Sequence, residues 1–293
     1  MKNKHDDICI KNYSYFKQNP IEFVEKAFQF ISVYSTTFDN TTNKMFEYEK
    51  LAFTKMLNSE RYFIIKSRQM RLSTLYSRFM FYYIFFKNDL RILYVSHSMW
   101  GSKNIRDKLL RAFKSTSISV LSPTIIRENK NSVKFSNNVT IDFSHAENRN
   151  NVFLKGKSYN VIILDECGSY DDLANIFHDC QVMSYTGVNN KLLMGTSVYD
   201  KGNFFNMLGS DLMESSNWES DTFLWLHNPL FLRGMYDNSD ILSFEWYKYM
   251  RRNNDKKVVN NEINCGLSEY LLKFYFRGRQ VLSEKQYPKF IKK

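Results

Sequence analysis

From Pro20 onward, apolar residues recur at helical spacing, at Ile21, Phe23, Val24, Ala27, Phe28 and Ile31, and predict a first helix with Pro20 in its opening turn. A polar stretch over 36–43 predicts a loop, and 46–57 a second helix. Beyond it the texture changes. Short apolar runs alternate with helical segments, the signature of an α/β sheet. The predicted order is strand 62–65, helix 73–86, strand 91–96 and helix 102–113. Residues 132–143 alternate about a Ser-Asn-Asn centre and predict a β-hairpin. Residues 161–164 are apolar throughout, as strands buried on both faces are. Helix 171–183, strand 191–194 and strand 222–226 follow, and 243–252 predicts a helix capped by Ser243. Four regions result: an N-terminal helical segment (1–45), an α/β core with a mainly parallel sheet flanked by helices (46–210), a smaller, largely helical subdomain (211–272) and a basic tail (273–293).

Composition narrows the setting. Of 293 residues, 43% are hydrophobic and 24% charged, the balance of a folded, water-soluble chain. Aromatics reach 16% while Gly and Pro are scarce, which fits coding bias and core packing better than base-stacking platforms. The net charge of +11 favours polyanionic partners, chiefly nucleic acid. Much of it is local, since 273–293 carry seven basic side chains against Glu284. The four cysteines and five histidines are scattered, without the spacing of a zinc site or disulfide framework. The charged start MKNKHDD lacks a signal-peptide core, and the longest apolar run, 79–86, is too short to span a bilayer. These features lead us to expect an intracellular protein.

Three elements carry candidate chemistry. Val161-Ile162-Ile163-Leu164 runs into Asp165-Glu166. A buried strand ending in two carboxylates delivers them to the sheet edge where open α/β folds bind ligands, one to hold Mg2+ and one to polarise water. After strand 62–65 comes Lys66-Ser67-Arg68-Gln69-Met70-Arg71-Leu72-Ser73-Thr74 and then a helix. The phosphate-loop pattern GxxxxGK[ST] is broken here, with Arg71 at the last glycine and Leu72 at the lysine. Cations at 66, 68 and 71 remain, as do two hydroxyls at a helix N-terminus, where anions are favoured. Third, Leu192-Leu193-Met194 ends in Gly195-Thr196-Ser197, a strand tip of small and hydroxyl residues suited to sensing a γ-phosphate.

Together these elements resemble the large terminase subunit of tailed bacteriophages, the ATPase that packages DNA. That family often carries a variant loop K-x-R-Q-x-G-x-[ST], matched by 66–74. A small-residue turn precedes its acidic strand, as in Leu154-Lys155-Gly156-Lys157-Ser158-Tyr159-Asn160, and its coupling motif resembles Gly195-Thr196-Ser197. Asn19-Pro20-Ile21-Glu22-Phe23 is similar to the family's N-terminal helix. The resemblance runs over about 19–272 and implies a P-loop NTPase fold of the ASCE type, with a strand between the two Walker strands. It implies ATP and Mg2+ as cofactors, the whole loop from Lys66 through Ser67 to Thr74 as ATP-binding, Lys66 and Arg68 as phosphate cations, and Ser73 or Thr74 as the magnesium hydroxyl. Asp165 would take the metal role, Glu166 the base role and Thr196 the coupling role. It implies double-stranded DNA, a portal protein and a small terminase subunit as partners, a ring of copies when docked, no membrane, and a site of action in the host cytoplasm. The departures are Arg71 for glycine, Lys155 for arginine, and Glu49 where an adenine-reading glutamine often stands. Arg71 is expected to point outward. The acidic residues after Glu269 reduce to Glu284, too few for a two-metal nuclease, so either another chain supplies cleavage or this is an excised or split motor domain. A helicase-like ATPase and a non-hydrolysing DNA-binding relative are the competing readings.

Overall fold

Among the described residues, eight strands form one sheet in the order β3-β4-β5-β2-β6-β7-β1-β8. The computed structural model describes residues 12–28, 44–116, 123–146, 157–184, 190–197, 218–228 and 245–259, with Ile263 and Cys265. The strands are β1 (Arg61–Lys66), β2 (Arg91–Ser96), β3 (Ile125–Glu128), β4 (Ser132–Phe135), β5 (Thr140–His145), β6 (Val161–Asp165), β7 (Lys191–Thr196) and β8 (Glu219–Phe223). From β5 to β8 every neighbouring pair is parallel, while β3, β4 and β5 form an antiparallel meander at one edge. Strand β7 lies between β6 and β1, so the acidic strand and the loop strand flank a third, the arrangement expected of the ASCE class.

The helices described are α1 (residues 12–18), α2 (Pro20–Ala27), α3 (Glu47–Asn58), α4 (Leu72–Phe86), α5 (Met99–Ser115), α6 (Leu173–Ser184) and α7 (Glu245–Asn253). Alternation along the central strands sorts side chains to two faces. Tyr62, Ile64, Ile92, Tyr94, Val161 and Ile163 join α2 to α5 in one core. Phe63, Ile65, Leu93, Val95, Ile162 and Leu164 join α6, Trp225, Tyr247 and Ile263 in the other. The apolar run 79–86 belongs to α4, buried on nearly every side as a helix that is apolar all round must be. Aromatic pairs fill this core, with Phe23 against Phe81, Phe85 and Phe86 at centroid distances of 5.7, 5.1 and 4.7 Å.

Several boundaries differ from those the sequence predicts. Helix α5 starts at Met99, capped by the Ser98 hydroxyl, which accepts from Gly101 N at 3.1 Å. The exposed Met99 and Trp100 break the apolar rhythm there and hide the start. Strand β3 is short and largely exposed, so it carries no alternation to read. Strand β8 begins at Glu219 rather than Thr222, and a short 3-10 turn (Trp225–His227) follows it. Ser243, Leu154-Lys155-Gly156 and the 273–293 tail lie outside the described residues. Among those described, no helix is long and apolar enough to cross a membrane.

Candidate nucleotide-binding site

The carboxyl ends of β1, β6 and β7 meet at one edge of the sheet, over a cleft of about 830 Å³. That volume suits a nucleotide-sized ligand. Lys66 is the last residue of β1 and is buried. Its ammonium donates to Glu166 Oε1 at 2.5 Å and to Ser197 Oγ at 2.9 Å. Glu166 Oε2 accepts from Ser197 N at 3.2 Å. One cation, one carboxylate and the tip of β7 are thus a single linked unit. Burial raises the Glu166 carboxyl, but Lys66 and Ser197 outweigh it and hold the group below the usual glutamate range. Glu166 adopts φ 54°, ψ 40°, a left-handed conformation costing a non-glycine residue about 1 kcal/mol, where β6 turns into a 3-10 turn.

Asp165 is the opposite case. It is buried, and Tyr94 OH donates to its Oδ2 at 2.6 Å. Its Oδ1 is buried without a hydrogen-bond partner. Burial, then the neighbouring Glu166 charge, push its carboxyl up to about 6, while hydrogen bonds from Ser73 and Tyr94 pull it down. The Tyr170 hydroxyl, bonded to Val95 O and Asp165 O at 2.9 Å each, pins the strand end behind it. An unpartnered buried carboxylate oxygen beside a serine hydroxyl is the hard oxygen donor set that Mg2+ takes.

The loop 66–74 divides by side. Arg68 and Gln69 are exposed and line the cleft, with Gln69 at φ 64°. Ser67 does not line it, contrary to expectation. Its hydroxyl donates to Ile263 O at 2.5 Å and accepts from Trp225 N at 2.8 Å, fastening the loop to the segment beyond β8. The reason is strand parity: Lys66 faces the cleft, so Ser67 faces the second core. Met70 is buried, and its carbonyl accepts from Tyr48 OH at 3.1 Å. Leu72 opens α4 and packs where a Cβ on Gly195 would lie 2.3 Å from Leu72 Cδ2 and 2.5 Å from Tyr76 OH. Gly195 therefore lets α4 sit down on β7. The hydroxyl pair separates too. The Ser73 hydroxyl acts on the Asp165 carboxyl, whereas Thr74 Oγ1 accepts from Lys108 Nζ at 2.9 Å. Thr196 is buried away from the cleft, and its hydroxyl bridges Gly168 N (3.1 Å) and Ser197 O (2.6 Å), tying the turn after Glu166 to β7.

Arg71 corrects another expectation. It takes φ 56°, ψ 19°, the left-handed region that explains the family's glycine, but it does not point outward. Its Nε lies 3.6 Å from Glu49 Oε1 and its guanidinium 5.1 Å from the Phe46 ring centroid. Glu49 is wholly buried, accepts from Phe46 N at 2.8 Å at the start of α3, and also faces Arg78 at 3.6 Å. Glu49 is thus occupied with arginines and a helix start, and does not line the cleft. Arg71→Gly relieves the backbone while removing one contact, so the folded state should change by less than about 1 kcal/mol. Arg71→Ala keeps the strain and loses the contact. The Gly variant should therefore exceed the Ala variant by about 1 kcal/mol in chemical denaturation. Equal stabilities would mean the left-handed turn is not held in solution.

Lys108 escaped the sequence reading. It interrupts a buried face of α5 formed by Ile105, Leu109 and Ala112, a spacing that could have exposed it. Burial, then Arg71, lower its ammonium to about 8.

No protein-family model matches the sequence. Solved structures do match. The large terminase ATPase domain of Thermus phage P74-26 superposes with a TM-score of 0.59 at 13% identity, over 75% of this chain and 93% of that one. The large terminase of bacteriophage HK97 gives 0.58 at 12%, over 90% of this chain and 52% of that one. The large terminase of the thermophilic bacteriophage D6E, in complex with ATP-gamma-S, gives 0.54 at 11%, over 76% and 52%. The chain spans about half the length of the last two. With the strand order, these matches establish that the chain has the P-loop NTPase fold of phage large terminase ATPase domains.

Proposed function

We infer that this chain is a Mg2+-dependent ATPase whose hydrolysis drives double-stranded DNA into a phage capsid. The observation that carries the reading is the meeting of Lys66, Ser73, Asp165, Glu166 and Ser197 in one cleft at the carboxyl ends of β1, β6 and β7. Asp165 Oδ1 and the Ser73 hydroxyl would hold Mg2+. Among the described residues no group of three acidic, His or Cys side chains could hold a metal alone, so nucleotide phosphates would complete its coordination. The ion supplies charge neutralisation on the phosphates. Lys66 and Arg68 neutralise the rest, the backbone N–H groups at the start of α4 face the anion, and Glu166 orients and deprotonates the attacking water.

The Lys66–Glu166 pair gives this scheme an order of events. While it faces Lys66 at 2.5 Å, Glu166 is a poor base. An incoming phosphate competes for Lys66, and withdrawing the ammonium raises the basicity of Glu166. Binding thereby arms the base. Bridging by Thr196 between β7 and the turn after Glu166 provides the physical link for passing that change onward. Net charge of +11 supports a sequence-insensitive grip on phosphates, which a motor passing a whole genome requires. A ring of copies, a portal protein and a small terminase subunit complete the proposed assembly in the host cytoplasm.

The test is ATP turnover by the whole chain with Mg2+, with and without duplex DNA. Turnover that DNA stimulates and that Lys66→Ala abolishes is expected. ATP binding without turnover would favour a non-hydrolysing relative, for which Leu72 in the lysine position argues. Strand separation on a forked duplex would favour a helicase.

A further inference from the structure

The loop poses a problem of charge. Leu72 stands where a phosphate loop carries its lysine, and it packs over Gly195. Lys66 divides its hydrogen bonds between Glu166 and Ser197 at the hydrolytic end. Neither supplies a cation at the start of α4, where the backbone N–H groups gather. A second lysine reaches that point from the other wall of the cleft. Lys108 extends from α5, which packs beside α4, and its Nζ lies 2.9 Å from Thr74 Oγ1.

We propose that Lys108 binds the nucleotide's phosphate chain at the N-terminus of α4, supplying from α5 the positive charge that Leu72 does not. The proposal rests on the nucleotide reading of the cleft. Three observations carry it. Lys108 lines the same cleft as Lys66, Asp165 and Ser73. Arg71, Arg78 and Arg111 act on it with like charge; Asp165 opposes them and Glu49 is shared by Arg71 and Arg78, so four cations face two carboxylates, a surplus that a polyanion neutralises. Asp165 Oδ1, buried and unpartnered in the same cleft, marks a ligand position beside it. A lysine in the inner stripe of α5 costs packing that an apolar residue would gain, and phosphate contact is a use that offsets this. Because Lys108 sits at Thr74 and not at Glu166, it grips the part of the chain that ATP and ADP share.

The experiment is calorimetric titration of the full chain with ATP, ADP and inorganic tripolyphosphate. The variants are Lys108→Gln, Lys108→Met and Lys108→Arg, with folding checked by circular dichroism. Lys108→Gln keeps a donor for Thr74 but no charge. It should weaken ATP, ADP and tripolyphosphate by about 10- to 100-fold, the range for losing a charge-assisted hydrogen bond. Lys108→Met should behave alike, and Lys108→Arg should recover most of the affinity. A purely structural tether would leave the affinities of folded Lys108→Gln at wild-type values, and that result overturns the proposal. Weakening of ATP alone, with ADP untouched, would also overturn it, by moving the contact to the γ-phosphate. A wild-type chain that binds tripolyphosphate through Lys108 but no ATP would sink the nucleotide reading and leave the polyphosphate contact standing. Wild-type protein that binds neither would sink both.

Discussion

Glu166→Gln is expected to lower ATP turnover by about two to four orders of magnitude while ATP binding stays intact or tightens. Gln is nearly isosteric and can still accept from Ser197 N, so the end of β7 should keep its place. What disappears is the negative charge 2.5 Å from the Lys66 ammonium. Two consequences follow from that one change. No carboxylate remains to take a proton from water, and hydrolysis falls. Lys66 also loses its strongest competitor for phosphate, and ATP binding gains what the pair previously opposed. A variant that removed only a structural contact would instead lose binding and turnover together. Single-turnover kinetics and equilibrium binding on the same preparation separate the outcomes. Wild-type turnover in this variant would remove Glu166 from the chemistry, and loss of binding would mean the pair holds the cleft in shape.

How far the sequence anticipates this arrangement depends on the range of the forces involved. Strand alternation is local, so β1, β2 and β6 and their two faces are legible from residues such as Tyr62 and Phe63, which enter different cores. Asp165-Glu166 at the tip of an apolar run is legible for the same reason. The left-handed position at Arg71 can be read from the glycine it replaces. The direction of its side chain cannot, because Glu49 and Phe46 lie more than twenty residues earlier and meet it only through the packing of α3 on α4. Ser67 was placed in the cleft by its neighbours in sequence, and strand parity sends it to the opposite face. The assignment of Ser73 and Thr74 likewise needs Asp165 and Lys108, which arrive from β6 and α5. Partners distant in sequence, not side-chain types, make up the illegible part.

Asp165→Asn is expected to abolish function and stabilise the fold at once. Its carboxyl titrates at about 6 against an ordinary 3.8, chiefly because burial penalises the charge and then because Glu166 repels it. A folded-state value above the unfolded one means the native state prefers the proton. The charged form therefore costs stability in full above about pH 6, and the cost fades as pH falls from 6 through 3.8, below which both states are protonated. Asn carries no charge and can still accept from Tyr94 OH, so it removes the cost without opening a cavity. Without divalent metal at pH 7.5, the variant should be more stable by roughly 1–3 kcal/mol, a rise of several degrees in Tm. The advantage should shrink as pH is lowered from 6 to 4. In turnover with Mg2+ the same variant should lose at least about 100-fold, because a metal held by one fewer anionic oxygen offers less charge to the transition state. Thermal melts across this pH range, paired with turnover, read both effects. Reduced stability at pH 7.5 would show that the surroundings favour the charge at Asp165, and retained turnover would take the metal elsewhere. Gaining stability while losing activity is what a buried, under-neutralised carboxylate kept for a cation should give, since a residue chosen only for packing would lose stability on replacement.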